Sequence, residues 1–159
     1  MNEKLLGSSL DDYLAEEGQL AEAWRLLPDP LAMDDRLPGL SMGSRLLNQA
    51  RVGLVGGRAE AVLAFAAQFE RLAASAGSLR WQMEALLLQA LAQARLGKRT
   101  AGQFALQKSL ALAQSQGYLR LFLDGGEAVR DLLVGLYPTL TDPALAQFAR
   151  RILEAFPAP

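Results

Sequence analysis

At 159 residues the chain suffices for one domain, or one compact array of repeats, with a buried core. About half is hydrophobic, mostly Leu and Ala, and Val, Ile, Thr and aromatics are scarce, which favours helices packed through small side chains over a sheet. With no Cys and no His, disulfides, thiolate nucleophiles, the usual zinc site and a Ser–His pair are excluded; the net charge of −1, with Arg and Lys spread along the chain, argues against direct nucleic-acid contact.

In chain order, Ser9-Leu10-Asp11-Asp12 is a cap for a first helix that Gly18 stops, and 19–27 reads as its short partner. This weak first pair, about 10–27, is followed by an irregular connection over 28–40, marked by Pro28-Asp29-Pro30 and Pro38-Gly39. From about Ser41 the apolar pattern strengthens. Leu46, Leu47, Ala50 and Leu54 form one stripe, ended by Gly56-Gly57. The spacing of Val62, Phe65, Ala66, Phe69, Leu72, Ala73 and Ala76 predicts a helix over about 58–76, with Gly77 as its C-terminal cap. A helix over about 79–96 carries Met83, Leu86, Leu87, Ala90 and Ala94, and Gly97 turns the chain. A helix over about 99–116 carries Leu106, Leu110 and Ala113 and closes at Gly117. Asp124 and Glu127 have capping-box spacing and predict a helix to about Leu136, ended by Tyr137-Pro138. Asp142-Pro143 starts the last helix, with Leu145, Phe148, Ile152 and Leu153 on one face.

The chain echoes itself at a period of about 40 residues. Leu46, Leu47, Gln49, Ala50 and Gly57 recur as Leu86, Leu87, Gln89, Ala90 and Gly97. Leu72, Ala73, Ser75, Gly77, Leu79 and Arg80 recur as Leu112, Ala113, Ser115, Gly117, Leu119 and Arg120. A period between about 20 and 50 residues signals stacked supersecondary units. Short breaks between helices make neighbours antiparallel, and no pair can bury its stripe alone. The expected fold is all-α: helix pairs stacked as a tetratricopeptide-like right-handed superhelix, with repeats at 41–77 and 79–117. A C-terminal capping segment over 118–156 completes one domain.

Three phrases carry a family resemblance: Gln89-Ala90-Leu91-Ala92, Leu110-Ala111-Leu112-Ala113, and the run from Gly117-Tyr118-Leu119-Arg120 through Leu121-Phe122-Leu123-Asp124-Gly125-Gly126. They resemble the end of the helical-repeat region of large LuxR-type regulators built like the maltose-operon activator. Ile152-Leu153-Glu154-Ala155-Phe156-Pro157-Ala158-Pro159 resembles the segment that precedes the DNA-reading domain in that family. Gly102, where the family usually has Ala, and Gly125-Gly126, in place of a more acidic pair, depart from the pattern. The family joins a nucleotide-binding switch, this repeat region and a helix-turn-helix. Gly56-Gly57-Arg58 lacks the Lys and Ser/Thr of a phosphate loop, and no helix-turn-helix follows Pro159. The chain therefore reads as an excised domain or a truncated relative. The resemblance implies a cytoplasmic domain that receives an inducer or regulatory protein and passes that state to the regulator's other domains.

Candidate binding residues are Asn48, Arg51, Trp81, Glu84, Gln89, Arg95, Tyr118, Arg120 and Asp124. Amides with scattered charge suit a sugar-like or peptide ligand on a curved face, or else form an ordinary solvated helix face. Trp81 and Tyr118 either line a groove or plug the joint between repeats, whereas Phe122 is expected in the core. Gln89, beside Ala90, is alternatively an interhelical structural bond. Asp124 is alternatively a helix cap, with Arg120 a local ion-pair partner. The carboxylate pairs Asp11-Asp12, Glu16-Glu17 and Asp34-Asp35 do not converge on a metal or an acid–base site. No catalytic residue, metal or cofactor is expected. No apolar run reaches the roughly 18–20 residues of a membrane helix. The alternative function is a stand-alone interaction or oligomerisation scaffold without a small ligand.

Overall fold

The computed structural model describes residues 40–157, so the predicted pair at 10–27 and the connection at 28–39 lie outside the described residues. Within them the regular structure is helical: α1 (Leu40–Val55), α2 (Ala59–Ser75), α3 (Leu79–Arg95), α4 (Arg99–Gln116), α5 (Arg120–Asp124), α6 (Gly126–Leu136) and α7 (Pro143–Ala155). A 3₁₀ turn, Tyr137–Thr139, joins α6 to α7.

One local device builds four of the turns. Gly57, Gly77, Gly97 and Gly117 all have φ between 70° and 77°, where a Cβ is penalised. In the second turn the Ser78 amide donates to the Ala73 carbonyl at 2.9 Å and the Gly77 amide to that of Ala74 at 3.1 Å. The same two bonds recur around Gly57, Gly97 and Gly117. This pairing satisfies carbonyls that a helix end otherwise leaves without donors. It explains why the glycines recur in the sequence at the repeat period.

Helices α1 and α3 touch, as do α3 and α6, and α2 and α4 pack against α3 from the other layer; α7 packs on α4 and α6. The order is two layers, with α1, α3 and α6 in one and α2, α4 and α7 in the other. This is the tetratricopeptide-like arrangement expected from the repeat. Two apolar clusters fill it. The first joins Leu46, Leu47 and Leu54 of α1 and Val62, Phe65 and Phe69 of α2 to Trp81, Ala85 and Leu88 of α3. The second joins Met83, Leu87 and Ala90 of α3 to Leu106 and Leu110 of α4, Phe122, four buried residues of α6, and Leu145, Phe148 and Ile152 of α7. Helix α3 thus buries side chains on opposite flanks, which a helix does when neighbours surround it.

The structure keeps the period after the sequence loses it. Shifted forward by 40, α3 would run from 119 to 135, which is the span of α5 and α6 together. The third inner helix is present but broken at Gly125 and Gly126. Gly126 has φ 71°, and a Cβ on Gly125 would lie 2.3 Å from the Val129 Cγ2. The expected capping role of Asp124 is not realised. Gly125 is the N-terminal cap residue of α6, with no side-chain cap bond, and the Asp124 carboxylate accepts instead from Arg120 Nε at 3.1 Å. The Asp142 cap is realised, its Oδ1 accepting from the Ala144 amide at 3.1 Å with Pro143 at the first helical position.

Candidate functional site

The nine candidate residues separate into structural groups and exposed ones. Trp81 is buried, 7% exposed, with its ring 5.2 Å from that of Phe69, which lies 5.5 Å from Phe65. The indole fits because α1 carries Gly43 opposite it: a Cβ there would come within 2.3 Å of the ring. Of its two expected roles, packing at the joint between repeats is the one observed. Gln89 takes its structural alternative too, donating from Nε2 to the Ala66 carbonyl of α2 at 3.4 Å. Phe122 is fully buried, as expected, and meets Phe148 edge-on at 6.4 Å.

The remaining candidates lie on the surface or its margin. Arg51 donates to the Asn48 Oδ1 at 3.3 Å, one turn apart on α1. Glu84 is largely covered, its side chain 11% exposed, and accepts from Arg80 Nε at 3.4 Å. Arg120 and Asp124 form the corresponding pair on α5, both well exposed. Arg95 is exposed at the end of α3, and Tyr118 is 44% exposed before α5. The fold therefore brings together two local pairs, Asn48–Arg51 and Arg120–Asp124. Tyr118 and Arg95 sit at opposite ends of the helix layer, because they flank successive turns of antiparallel helices.

Three features were missed at the sequence level. Ser109 is fully buried and donates from Oγ to the Met83 carbonyl at 2.9 Å, tying α4 to α3. Its place among Leu106, Leu110 and Ala113 on the apolar face was the available signal. Gly102, the departure from the family pattern, marks a close approach, since a Cβ there would lie 2.8 Å from the Ala90 carbonyl. Phe104 is 61% exposed on the outer face of α4, with Lys108 Nζ 4.7 Å from its ring centroid. Such a pair at an exposed site contributes about 0.5–1 kcal/mol. Among the described residues no group of three or more acidic side chains is placed to hold a metal ion, and no helix is long and apolar enough to cross a membrane.

Paired antiparallel helices in two layers, with a glycine closing each regular turn, are matched by one family model, the MalT-like TPR region, over residues 12–137. The chain belongs to that family. Comparison with curated proteins and with solved structures yields no match. The family match begins well before α1, includes all four glycine-closed turns and ends at the 3₁₀ turn after α6. A MalT-like TPR region is a helical repeat of the kind used for protein interaction or sensing.

Proposed function

We propose that this chain is the signal-receiving repeat region of a LuxR-type transcriptional regulator, acting in the cytoplasm and binding an inducer or regulatory protein without catalysing a reaction. The match to the MalT-like TPR region over residues 12–137 is the observation that carries the proposal. The run from Gly117 to Gly126 and the segment from Ile152 to Pro159, which resemble the same regulators, support it. The receiving surface is the solvent face of the α1, α3 and α6 layer, where Asn48, Arg51, Glu84 and Arg95 offer charge and amide groups to a polar ligand. Binding shifts the packing between this region and its neighbours, which is how a ligand with unequal affinity for two states acts.

The test is a thermal-shift screen of the chain against sugars, nucleotides and small metabolites. A ligand that binds only the folded state raises the melting temperature with concentration. A saturable shift abolished by Arg51→Ala or Glu84→Ala supports an inducer on this face. Trp81→Ala and Gln89→Ala are unsuitable probes, because both side chains hold helices together. A flat response across the panel favours the second reading, a protein-interaction scaffold capable of self-association.

A further inference from the structure

The described array is more basic than the chain as a whole. Residues 40–157 carry thirteen Arg and Lys against eight Asp and Glu, a surplus of five positive charges within a chain of net charge −1. The fold gathers part of that surplus at one edge. The turns α1–α2 and α3–α4 lie side by side there, because α1 and α3 are adjacent and each is followed by an antiparallel partner. The edge carries Arg58, Arg95, Lys98 and Arg99, all exposed. Arg58, Arg95 and Lys98 form no ion pair among the described residues. Arg99 is seated: it donates from Nη2 to the Asp131 carbonyl of α6 at 3.0 Å, over Gly135, where a Cβ would come within 2.9 Å of that nitrogen. The first turn of α4 holds no acid, and the nearby carboxylates in the adjoining turns are Glu60 and the capping Asp142, so cations predominate. On the opposite edge Arg80 and Arg120 each pair with a carboxylate one turn along their own helix.

We propose that this edge is a docking surface for an extended acidic segment of a partner protein. The proposal rests on the reading that this region meets a regulatory protein, and gives that protein a chemistry. Charge complementarity selects an anionic occupant, and spacing selects its form. The cations stand on two turns of neighbouring helix pairs, set roughly 10 Å apart by the distance between packed helices. A single phosphate or carboxylate reaches one turn. An extended segment of three to four residues, at about 3.3 Å each, reaches both, and its alternate side chains point the same way. Four cations flanked by carboxylates make too short a row for a nucleic-acid backbone, whose affinity grows with the number of phosphates neutralised. Exposed ion pairs are individually weak and screened by salt, so the docking is reversible and sensitive to ionic strength. Arg95 is the one residue common to this edge and the proposed receiving face; Arg58, Lys98 and Arg99 are additional to it.

The test is fluorescence anisotropy of the full chain with a dye-labelled peptide of about eight residues, Asp alternating with Ser, so that its carboxylates share one side when extended. Saturable binding is expected, weakening severalfold between about 20 mM and 200 mM salt, where the screening length shortens from roughly 20 Å to 7 Å. Arg58→Glu with Lys98→Glu is expected to weaken it about tenfold. Lys108→Glu with Arg151→Glu makes the same change in net charge at exposed sites away from the edge and is expected to leave it within about twofold. Helical circular dichroism checks that each variant is folded. Equal loss in the two double variants overturns the proposal, because attraction then follows net charge. So does equal binding of the peptide with Asn in place of Asp. Tighter binding of a single-stranded oligonucleotide overturns it in favour of nucleic acid, and displacement by citrate at equal concentration in favour of a small anion. The edge variants retain Arg51 and Glu84, so loss of peptide binding with an intact metabolite response in the thermal-shift screen separates this surface from the receiving face.

Discussion

Helices α1 and α2 meet α3 through an aromatic stack, Phe65, Phe69 and Trp81, seated over Gly43. Helices α4 to α7 meet the other flank of α3 through leucines, one edge-on Phe122–Phe148 contact and a buried serine. The first arrangement has a continuous inner helix; in the second the corresponding helix is snapped at Gly126. The difference teaches that the period of the array resides in its turns and layer order. The inner helix itself can be interrupted without losing its place in the stack.

The sharpest way to break the comparison is to empty one side. Trp81→Ala is expected to cost about 3–5 kcal/mol, the range for a buried large aromatic. Urea unfolding followed by circular dichroism should show an earlier midpoint and still a single transition. Two separated transitions would mean that the cores on either flank of α3 melt independently. Gly126→Ala tests the interruption, at an expected cost of about 1–2 kcal/mol for a side chain held at left-handed φ. An unchanged midpoint with increased helical signal would mean instead that α5 and α6 can fuse into one helix. Ser109→Ala removes the cross-helix bond to Met83 and should cost about 1 kcal/mol. Arg120→Ala removes only an exposed pair and should change stability by less than about 0.5 kcal/mol; a larger loss would give α5 a tertiary role beyond Phe122.

The regular part of the fold was legible because it is encoded locally. Apolar spacing and a closing glycine set each helix from α1 to α4, and those signals need no partner elsewhere in the chain. The broken inner helix was not legible in the same way. Asp124 and Glu127 carry the spacing of a capping box, yet Arg120 claims the Asp124 carboxylate and the left-handed Gly126 sets the start of α6. For the candidate site, residue type marked Trp81 and Gln89 as unusual but left their roles open. Their fates depend on residues far along the chain: Gly43 makes room for the indole, and the Ala66 carbonyl accepts the amide. Surface membership of Arg95 and Tyr118 is a product of antiparallel stacking, which residue type alone does not specify.

The two-sided burial of α3 also bears on how the molecule opens. An amide in α7 can exchange with solvent after that end of the described stack frays. One in the middle of α3 is released only when both flanks have come away. Deuterium uptake should therefore be slow over the centre of α3, near Leu86–Ala90, and quicken toward α7.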